Sequence, residues 1–284
     1  MPKPAKPPSL PGGELYYRHT LPVRVMHWIN VVALTILLMS GLNIFDAHSA
    51  LYWGKSSYTG QEPVLAIGAR MKPDGSLQGV TRVLGREFDT TGWLGVSPGP
   101  DGEPGLRSFP WWATVPDYRW LSMARSWHFF FAWILVLNGL AYVAYSIGSR
   151  HLARDLAPDR ADLRSIPQSI VDHVRFRHPR GAAAKRYNVL QKLAYVAVIF
   201  IVVPLLILMG LAMSPRADAI WPGWVDLFGG RQSARTIHFI AAWILVAFVV
   251  IHVFESAISG LWNHLRSMIT GRYRVPPEPS REAR

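Results

Sequence analysis

Four long apolar runs divide an otherwise polar chain of 284 residues. The runs cover about 25–45, 127–147, 189–213 and 236–261. At a rise of about 1.5 Å per residue, a helix of roughly 20 residues spans the hydrocarbon core of a bilayer. The pattern therefore predicts an all-α integral membrane protein, a four-helix bundle in which Pro204 kinks the third span.

The polar segments between the runs predict loops of unequal length. Residues 46–126 form a long loop insertion rich in Gly, Pro and Trp, in which Pro73-Asp74-Gly75 and Pro100-Asp101-Gly102 predict turns. We expect a small hairpin in this loop and no catalytic motif. Residues 148–188 are polar and basic, and Ser165-Ile166-Pro167 opens a predicted amphipathic surface helix.

The first 24 residues are rich in Pro and Lys, and they lack the apolar core and the small-residue cleavage site of a signal peptide. We expect an unstructured cytoplasmic tail over 1–24. A single transmembrane domain over 25–284 is then predicted to follow it.

Composition agrees with a membrane protein, because 50% of the residues are hydrophobic and only 17% are charged. The net charge of +12 indicates loops that face an anionic lipid leaflet rather than a nucleic-acid partner. The chain has no cysteine, which excludes disulfides, iron–sulfur clusters, thiolate zinc sites and thioether-attached haem. A metal would have to be held by His, carboxylate or Met.

Lys and Arg are distributed unevenly between the two sides of the predicted bundle. The side with both termini and residues 148–188 carries 19 of them, whereas the side with residues 46–126 and 214–235 carries 11. This excess predicts that both termini are cytoplasmic and that the long loop is extracytoplasmic. The predicted location is the inner membrane of a bacterium.

Four of the ten histidines lie inside or at the mouths of the spans, where ionisable groups are costly and usually functional. His238 and His252 are 14 residues apart, about 40° short of four helical turns, so they share one face of span four at depths about 21 Å apart. His27 opens span one from the cytoplasm and reaches the depth of His252. His128 opens span two from outside and reaches the depth of His238.

Two imidazoles that face each other across a bundle, with no Cys, Asp or Glu beside them, are typical axial ligands of haem b. A zinc site would need three or four ligands at one depth. We therefore predict two haem b groups with bis-histidine ligation: His27 with His252 on the cytoplasmic side, and His128 with His238 on the outer side. A lone membrane histidine can instead hydrogen-bond a carbonyl or line a proton path, so the prediction depends on the matched depths.

Two glycines share the faces of these histidines. Gly41 lies 14 residues after His27, and Gly139 lies 11 residues after His128. Each glycine clears space for the macrocycle at the other depth, or both simply let helices pack closely, and the sequence leaves both explanations open. The remaining histidines are expected to be surface groups: His19, His48, His151, His173, His178 and His264.

Haem propionates need cationic or hydrogen-bond-donor partners. Arg231 and Arg235 precede His238 on the outer side, and Arg125 precedes His128, so these arginines are candidates for the outer propionates. Arg24 is the candidate for the inner haem. The alternatives are interfacial anchoring and, for Arg24, membrane topology alone.

Five tryptophans lie in the long loop: Trp53, Trp93, Trp111, Trp112 and Trp120. Some belong to the interfacial aromatic belt, but exposed aromatic residues also concentrate binding energy in docking surfaces. Asn30 and the segment 185–192 are weak candidates for a quinone contact.

Three pieces of the chain resemble a known family. They are Arg24-Val-Met-His27-Trp28, the entry to span two at His128, and the spacing from Arg235-Thr-Ile-His238 to Ile251-His252. They resemble the di-haem cytochrome b membrane subunits of bacterial nickel–iron hydrogenases, formate dehydrogenases and thiosulfate-reductase-like systems. The resemblance covers about 17–147 and 186–274. Residues 211–239 most resemble members that serve a periplasmic molybdopterin oxidoreductase of the sulfite-oxidase type.

The resemblance implies an electron-transfer subunit that connects an extracytoplasmic redox subunit, with a molybdopterin enzyme favoured, to membrane quinone. Two alternatives remain open. One is a free-standing quinone-linked oxidase of a small outer substrate such as superoxide, and the other is a haem-free transporter or assembly scaffold. The sequence assigns no catalytic residue, and it leaves open whether the chain forms a homo-oligomer.

Overall fold

The computed structural model describes residues 14–58, 60–177 and 180–277. The α-helices, numbered in chain order, are α1 (Leu21–Asp46), α2 (Leu121–Gly148), α3 (Arg160–Arg164), α4 (Ile166–Val174), α5 (Val189–Ala197), α6 (Val203–Ala212), α7 (Pro215–Ile220), α8 (Arg231–Ile258) and α9 (Leu261–Thr270). The strands are β1 (Leu15–Tyr17), β2 (Ala50–Leu51), β3 (Leu65–Met71), β4 (Leu77–Val83), β5 (Arg86–Asp89), β6 (Gly95–Pro98), β7 (Pro104–Arg107) and β8 (Arg272–Arg274).

Among the described residues, four helical stretches are long and apolar enough to cross a membrane: α1, α2, Gly181–Ala212 and α8. Large apolar side chains such as Phe130, Trp133, Val250 and Ile251 are exposed along these helices. A surface of this kind is stable in lipid and unfavourable in water. The chain is therefore a mostly helical integral membrane protein, as the sequence predicted. All four stretches begin before the predicted bounds, but the third and the fourth end one and three residues before them.

The third span is not a uniform α-helix. A capping box starts α5, because the Asn188 side chain accepts from the Gln191 amide at 2.9 Å and the Gln191 side chain accepts from the Asn188 amide at 3.3 Å. A π-helical segment, Val198–Val202, then separates α5 from α6. Pro204 follows at once and has no amide hydrogen to donate into the preceding turn. The irregularity therefore lies where the sequence predicted a kink.

The chain divides into two compact units. The first unit contains Met1–Trp28, Gly139–Ile201 and Val246–Arg284, and the second contains Ile29–Asn138 and Val202–Leu245. Each of the four membrane-spanning stretches contributes residues to both units.

In the first unit, β1 and β8 pair as antiparallel strands, and Ala184, Tyr273 and Val275 form a small core beside them. This pairing corrects the predicted tail: residues 15–17 form a strand and α1 begins at Leu21, whereas residues 1–13 lie outside the described part of the chain. Tertiary pairing between segments so distant in sequence leaves no local signal. The predicted surface helix is present as α4.

In the second unit, the 46–126 segment contains more strand than the small hairpin that the sequence predicted. Strands β2 to β5 form a four-stranded antiparallel sheet in sequential order, and β6 pairs with β7. Arg and Gly interrupt the alternation of β3 and β4, which hides the strand pattern in the sequence. Both predicted turns are present, with Gly75 and Gly102 at positive φ.

The end of α1 holds this segment in place. Leu42 and Phe45 pack with Leu51, Ile67 and Phe109 in one buried cluster. The buried Asp46 carboxylate accepts from the Ser108 amide at 2.6 Å and pairs with Arg119 at 2.9 Å. Because a buried carboxylate without partners is strongly destabilising, these two contacts fix the position of the segment on the helix.

Candidate functional site

In the first unit, His27 of α1 faces His252 of α8. Their ring centroids are 6.4 Å apart, and the ring planes are inclined by 58°. Phe248 stacks on His252 with centroids 5.9 Å apart, and Tyr195 meets the same ring edge-on at 6.3 Å. The two histidines that the sequence paired at the cytoplasmic level are therefore neighbours.

In the second unit, His128 of α2 faces His238 of α8. Their ring centroids are 6.3 Å apart, and the planes are inclined by 62°. This pair has almost the same spacing as the first, although it joins a different pair of helices. The structure thus brings all four predicted ligand residues together in the predicted pairs.

The spacing fits one metal ion between two imidazoles. With a metal–nitrogen bond of about 2.0 Å and the ring centroid about 1.2 Å behind the bonded nitrogen, two opposed rings have centroids about 6.4 Å apart. Among the described residues, no group of three or more His, Cys, Asp or Glu could hold a metal ion. Two imidazoles alone cannot complete a tetrahedral zinc site, whereas a facing pair of imidazoles is a donor set that would suit a haem b.

Hydrogen bonds orient the rings of the second pair. Ser40 Oγ donates to the Ile36 carbonyl at 2.6 Å, so its lone pairs face His128 Nδ1 at 3.1 Å and accept the Nδ1 hydrogen. His238 Nδ1 donates to the Leu206 carbonyl at 2.9 Å. Both rings are thereby held in the tautomer that keeps the Nε2 lone pair for a metal.

The first pair is oriented by packing and by contacts of its neighbours. Trp28 Nε1 donates to the Met268 carbonyl at 3.1 Å, and Arg24 donates to the Ile269 carbonyl. These bonds attach the first turn of α1 to the end of α9, next to His27. Within the described residues, His27 Nδ1 is buried without a hydrogen-bond partner.

Small residues lie behind both rings of the second pair. A Cβ added to Gly41 would meet His128 Cε1 at 3.4 Å, and one added to Gly210 would meet His238 Cε1 at 3.6 Å. Gly41 therefore allows α1 to pack closely against the His128 ring. Gly210 has the same relation to the His238 ring, but the sequence did not identify it. A Cβ at Gly139 would meet nothing within 4 Å, so the close-packing explanation fails there and the space-clearing explanation stays a prediction.

The predicted arginines all have partners in the protein. Arg235 donates to the carbonyls of Ala50, at 2.8 Å, and His48, and its guanidinium lies over the Phe45 ring. Arg231 is 3.7 Å from Asp218. These contacts connect the start of α8 to the 46–126 segment and to α7. A role in propionate binding remains a prediction for Arg24, Arg231 and Arg235.

Two of the expected surface histidines are not simply solvated. His19 lies beside Tyr187, and burial lowers its pKa to about 3, so it is neutral at physiological pH. His264 packs on Tyr273 and lies 3.0 Å from Ser259 Oγ. His151 pairs with Asp155 at 2.7 Å, His48 stacks on Tyr52, and His178 lies outside the described residues.

The residues predicted to contact quinone, Asn30 and Lys192 of the 185–192 segment, also have hydrogen-bond or ion-pair partners in the protein. Asn138 donates to Asn30 at 2.7 Å, and Lys192 pairs with Asp162 at 2.6 Å. The Lys192 ammonium holds the pKa of the Asp162 carboxyl below its usual range. Asn30 and Lys192 therefore each have a polar partner within the protein, and neither side chain requires a bound quinone to explain its position.

Comparisons with known proteins agree with this arrangement. Residues 18–271 match the family described as prokaryotic cytochrome b561. A protein of Azospira oryzae, provisionally named protein-methionine-sulfoxide reductase subunit YedZ1, is 29% identical over 240 residues, which cover 84% of this chain and 90% of that protein. A Cupriavidus necator protein, provisionally named Ni/Fe-hydrogenase B-type cytochrome subunit, is 27% identical over 161 residues, which cover 52% of this chain and 66% of that protein. No solved structure matches the chain.

Proposed function

Because the chain belongs to the prokaryotic cytochrome b561 family and is a membrane haem b electron-transfer subunit, we propose that it carries electrons across the membrane through two haem b groups. His27 and His252 hold one haem, and His128 and His238 hold the other. The observation that supports this proposal is the equal spacing of the two pairs, 6.4 and 6.3 Å between ring centroids.

A haem b iron, when bound, takes up and releases one electron at a time. Because each pair would supply two histidines to hold the group, this donor set would suit electron transfer better than bond-breaking chemistry. The hydrogen bonds from His128 and His238 to Ser40 and Leu206 keep the rings from rotating. The apolar spans exclude water from the histidines, which favours fast electron exchange with little reorganisation.

We infer that the redox partner lies outside the cytoplasm. The names of both relatives describe subunits of redox enzymes. The 46–126 segment has exposed apolar side chains such as Phe88 on β5, Trp93 in the turn after β5 and Trp112 in the turn after β7. Such a surface fits a protein partner, and the resemblance of residues 211–239 favours a periplasmic molybdopterin enzyme.

We propose quinone as the reaction partner on the cytoplasmic side of a bacterial inner membrane. The excess of Lys and Arg supports a cytoplasmic location for both termini and residues 148–188. The pairing of β1 with β8 supports one shared side of the membrane for the segment before α1 and the segment after α9.

Transmembrane electron transfer is tested in liposomes that contain the purified protein, a reduced quinone in the bilayer and ferricyanide outside, which does not cross membranes. Each quinol releases two electrons and two protons, so two ferricyanide ions are reduced per quinol. We expect at least tenfold faster reduction than in protein-free liposomes, measured by loss of ferricyanide absorbance. A wild-type rate no higher than that of liposomes with the His238→Leu variant would overturn the proposal.

The glycine behind His238 gives a separate test of the ligand geometry. Gly210→Ala places its Cβ at an ordinary contact distance of 3.6 Å from the ring and is expected to retain both haems. Gly210→Leu is expected to displace the ring and to lower the haem content from two to about one per chain, because larger side chains in packed positions force shifts. The pyridine haemochrome assay measures this.

Gly148→Leu is the matched control, since a Cβ at Gly148 meets nothing within 4 Å. This control is expected to keep both haems. Full haem content with an unchanged spectrum in Gly210→Leu would contradict the assigned position of His238.

A further inference from the structure

A cavity of about 430 Å³ in the first unit is lined by four arginines: Arg18, Arg177, Arg180 and Arg186. It lies among the residues of the 148–188 segment, α4 and the chain after α9. The haem proposal uses none of these four side chains. Their convergence on one cavity indicates a binding site for an anion.

The four guanidinium groups are not neutralised within the described residues, where none of them forms an ion pair. Arg18 is held between two aromatic rings, 5.2 Å from the centroid of Tyr187 and 4.8 Å from that of Tyr273. Stacking on the faces of a guanidinium leaves the N–H groups in its plane to bind an acceptor. Arg18 is therefore positioned for an oxygen-rich ligand.

Two carboxylates also line the cavity and limit what it binds. Asp172 accepts from Gln168 at 2.9 Å, and Glu255 lies 4.0 Å from His173. Four guanidinium groups against two carboxylates leave an excess of two positive charges. A phosphate group satisfies the arginines, and hydroxyl groups on the same ligand can donate to the carboxylates.

The neighbouring helix places this cavity next to lipid. Helix α4 exposes Ile170, Val171 and Val174, and Phe176, which lines the cavity, is itself 60% exposed. A short amphipathic helix with an exposed apolar face and flanking arginines lies in the interface of a membrane. The cavity is then at the depth of the lipid headgroups.

We propose that this cavity binds the phosphate group of an anionic phospholipid such as phosphatidylglycerol. The phosphate lies among the four arginines, and the glycerol hydroxyls donate to Asp172 and Glu255. Lipid is favoured over free phosphate because the exposed apolar residues of α4 border the cavity. The site is independent of the haem ligands and depends only on the membrane location of the chain.

The test measures ligand binding to the purified haem-loaded protein in detergent by isothermal titration calorimetry. The probes are dioctanoyl phosphatidylglycerol, dioctanoyl phosphatidylcholine and inorganic phosphate. We expect phosphatidylglycerol to bind at least tenfold more tightly than either of the others. The Arg177→Gln/Arg180→Gln variant is expected to bind it at least tenfold more weakly than the wild type, as is Arg18→Gln/Arg186→Gln.

Arg160→Gln/Arg164→Gln is the matched control, because it removes the same charge from α3, outside the cavity. Its affinity is expected to stay within twofold of the wild type. Equal affinity for phosphatidylcholine, or wild-type affinity in Arg177→Gln/Arg180→Gln, would overturn the site. Equal affinity for inorganic phosphate would overturn the assignment to lipid.

Discussion

Replacing His252 with leucine is expected to leave the protein with one haem b per chain instead of two. The substitution removes one of two facing imidazoles and leaves His27 without its partner across the first unit. Leucine has no lone pair to donate to iron, and one imidazole does not supply the two axial ligands of a low-spin haem. The pyridine haemochrome assay gives the haem content, and a potentiometric titration shows which of two midpoint potentials is lost.

The four ligand variants should fall into two groups. His27→Leu and His252→Leu are expected to lose the same component of the titration, and His128→Leu and His238→Leu the other. The double variant His27→Leu/His252→Leu is expected to lose no more haem than either single variant, because both substitutions act on one site.

His48→Leu is a suitable control, because His48 follows the end of α1, its ring stacks on Tyr52, and its carbonyl, which accepts from Arg235, is kept in the variant. It is expected to retain two haems with unchanged potentials. If His27→Leu and His238→Leu removed the same component, the pairing of ligands derived from the structure would be wrong.

The two histidine pairs could be predicted from the sequence because helix geometry limits which residues share a face and a depth. Fourteen residues on one continuous helix place His238 and His252 on one face whatever the rest of the chain does. The absence of cysteine and the scarcity of carboxylates in the spans then left few metal chemistries open. The prediction depended on two things, the regular repeat of a helix and the rarity of histidine in apolar spans.

The surroundings of the rings could not be predicted in the same way. Ser40, Leu206 and Gly210 lie on helices other than that of the ring they contact, and their roles depend on how the helices pack. A serine or a glycine in a membrane helix has many explanations, among them packing alone. Only the tertiary structure shows which small residue lies behind which ligand.

Arg235 shows how the contacts of a residue that the sequence singles out can be missed. Its position three residues before His238 predicts that the guanidinium binds a haem propionate. In the structure its guanidinium reaches the backbone of Ala50 and His48, in a segment nearly two hundred residues earlier. No sequence pattern indicates these partners, because every residue has the same backbone carbonyl acceptor.

Removal of two exposed tryptophans from the 46–126 segment is expected to weaken the action of the proposed redox partner by at least tenfold. Trp93 is 70% exposed and Trp112 is 61% exposed, although both are large apolar side chains. Aromatic residues at the centre of an interface typically contribute about 2 kcal/mol or more each, which corresponds to roughly thirtyfold in affinity. The Trp93→Ala/Trp112→Ala variant should therefore need a much higher partner concentration for the same rate.

Point substitutions are better suited to this question than deletion of the segment. Removing residues 60–110 would take Ile67 and Phe109 out of the cluster around Phe45 and would leave Asp46 without the Ser108 amide. Loss of such buried contacts typically costs several kcal/mol and would disturb α1 itself. The exposed tryptophans can be removed without that effect.

The measurement is the rate at which the redox subunit that co-purifies with the chain exchanges electrons with the haems, followed by haem absorbance over a range of subunit concentrations. Trp262→Ala is the matched control, because Trp262 is 82% exposed on α9 in the first unit, whereas Trp93 and Trp112 belong to the second unit. The control is expected to show wild-type rates, and both variants should retain full haem content. An unchanged concentration dependence in Trp93→Ala/Trp112→Ala would show that the partner docks elsewhere, because removal of two interface tryptophans cannot leave the affinity unaltered.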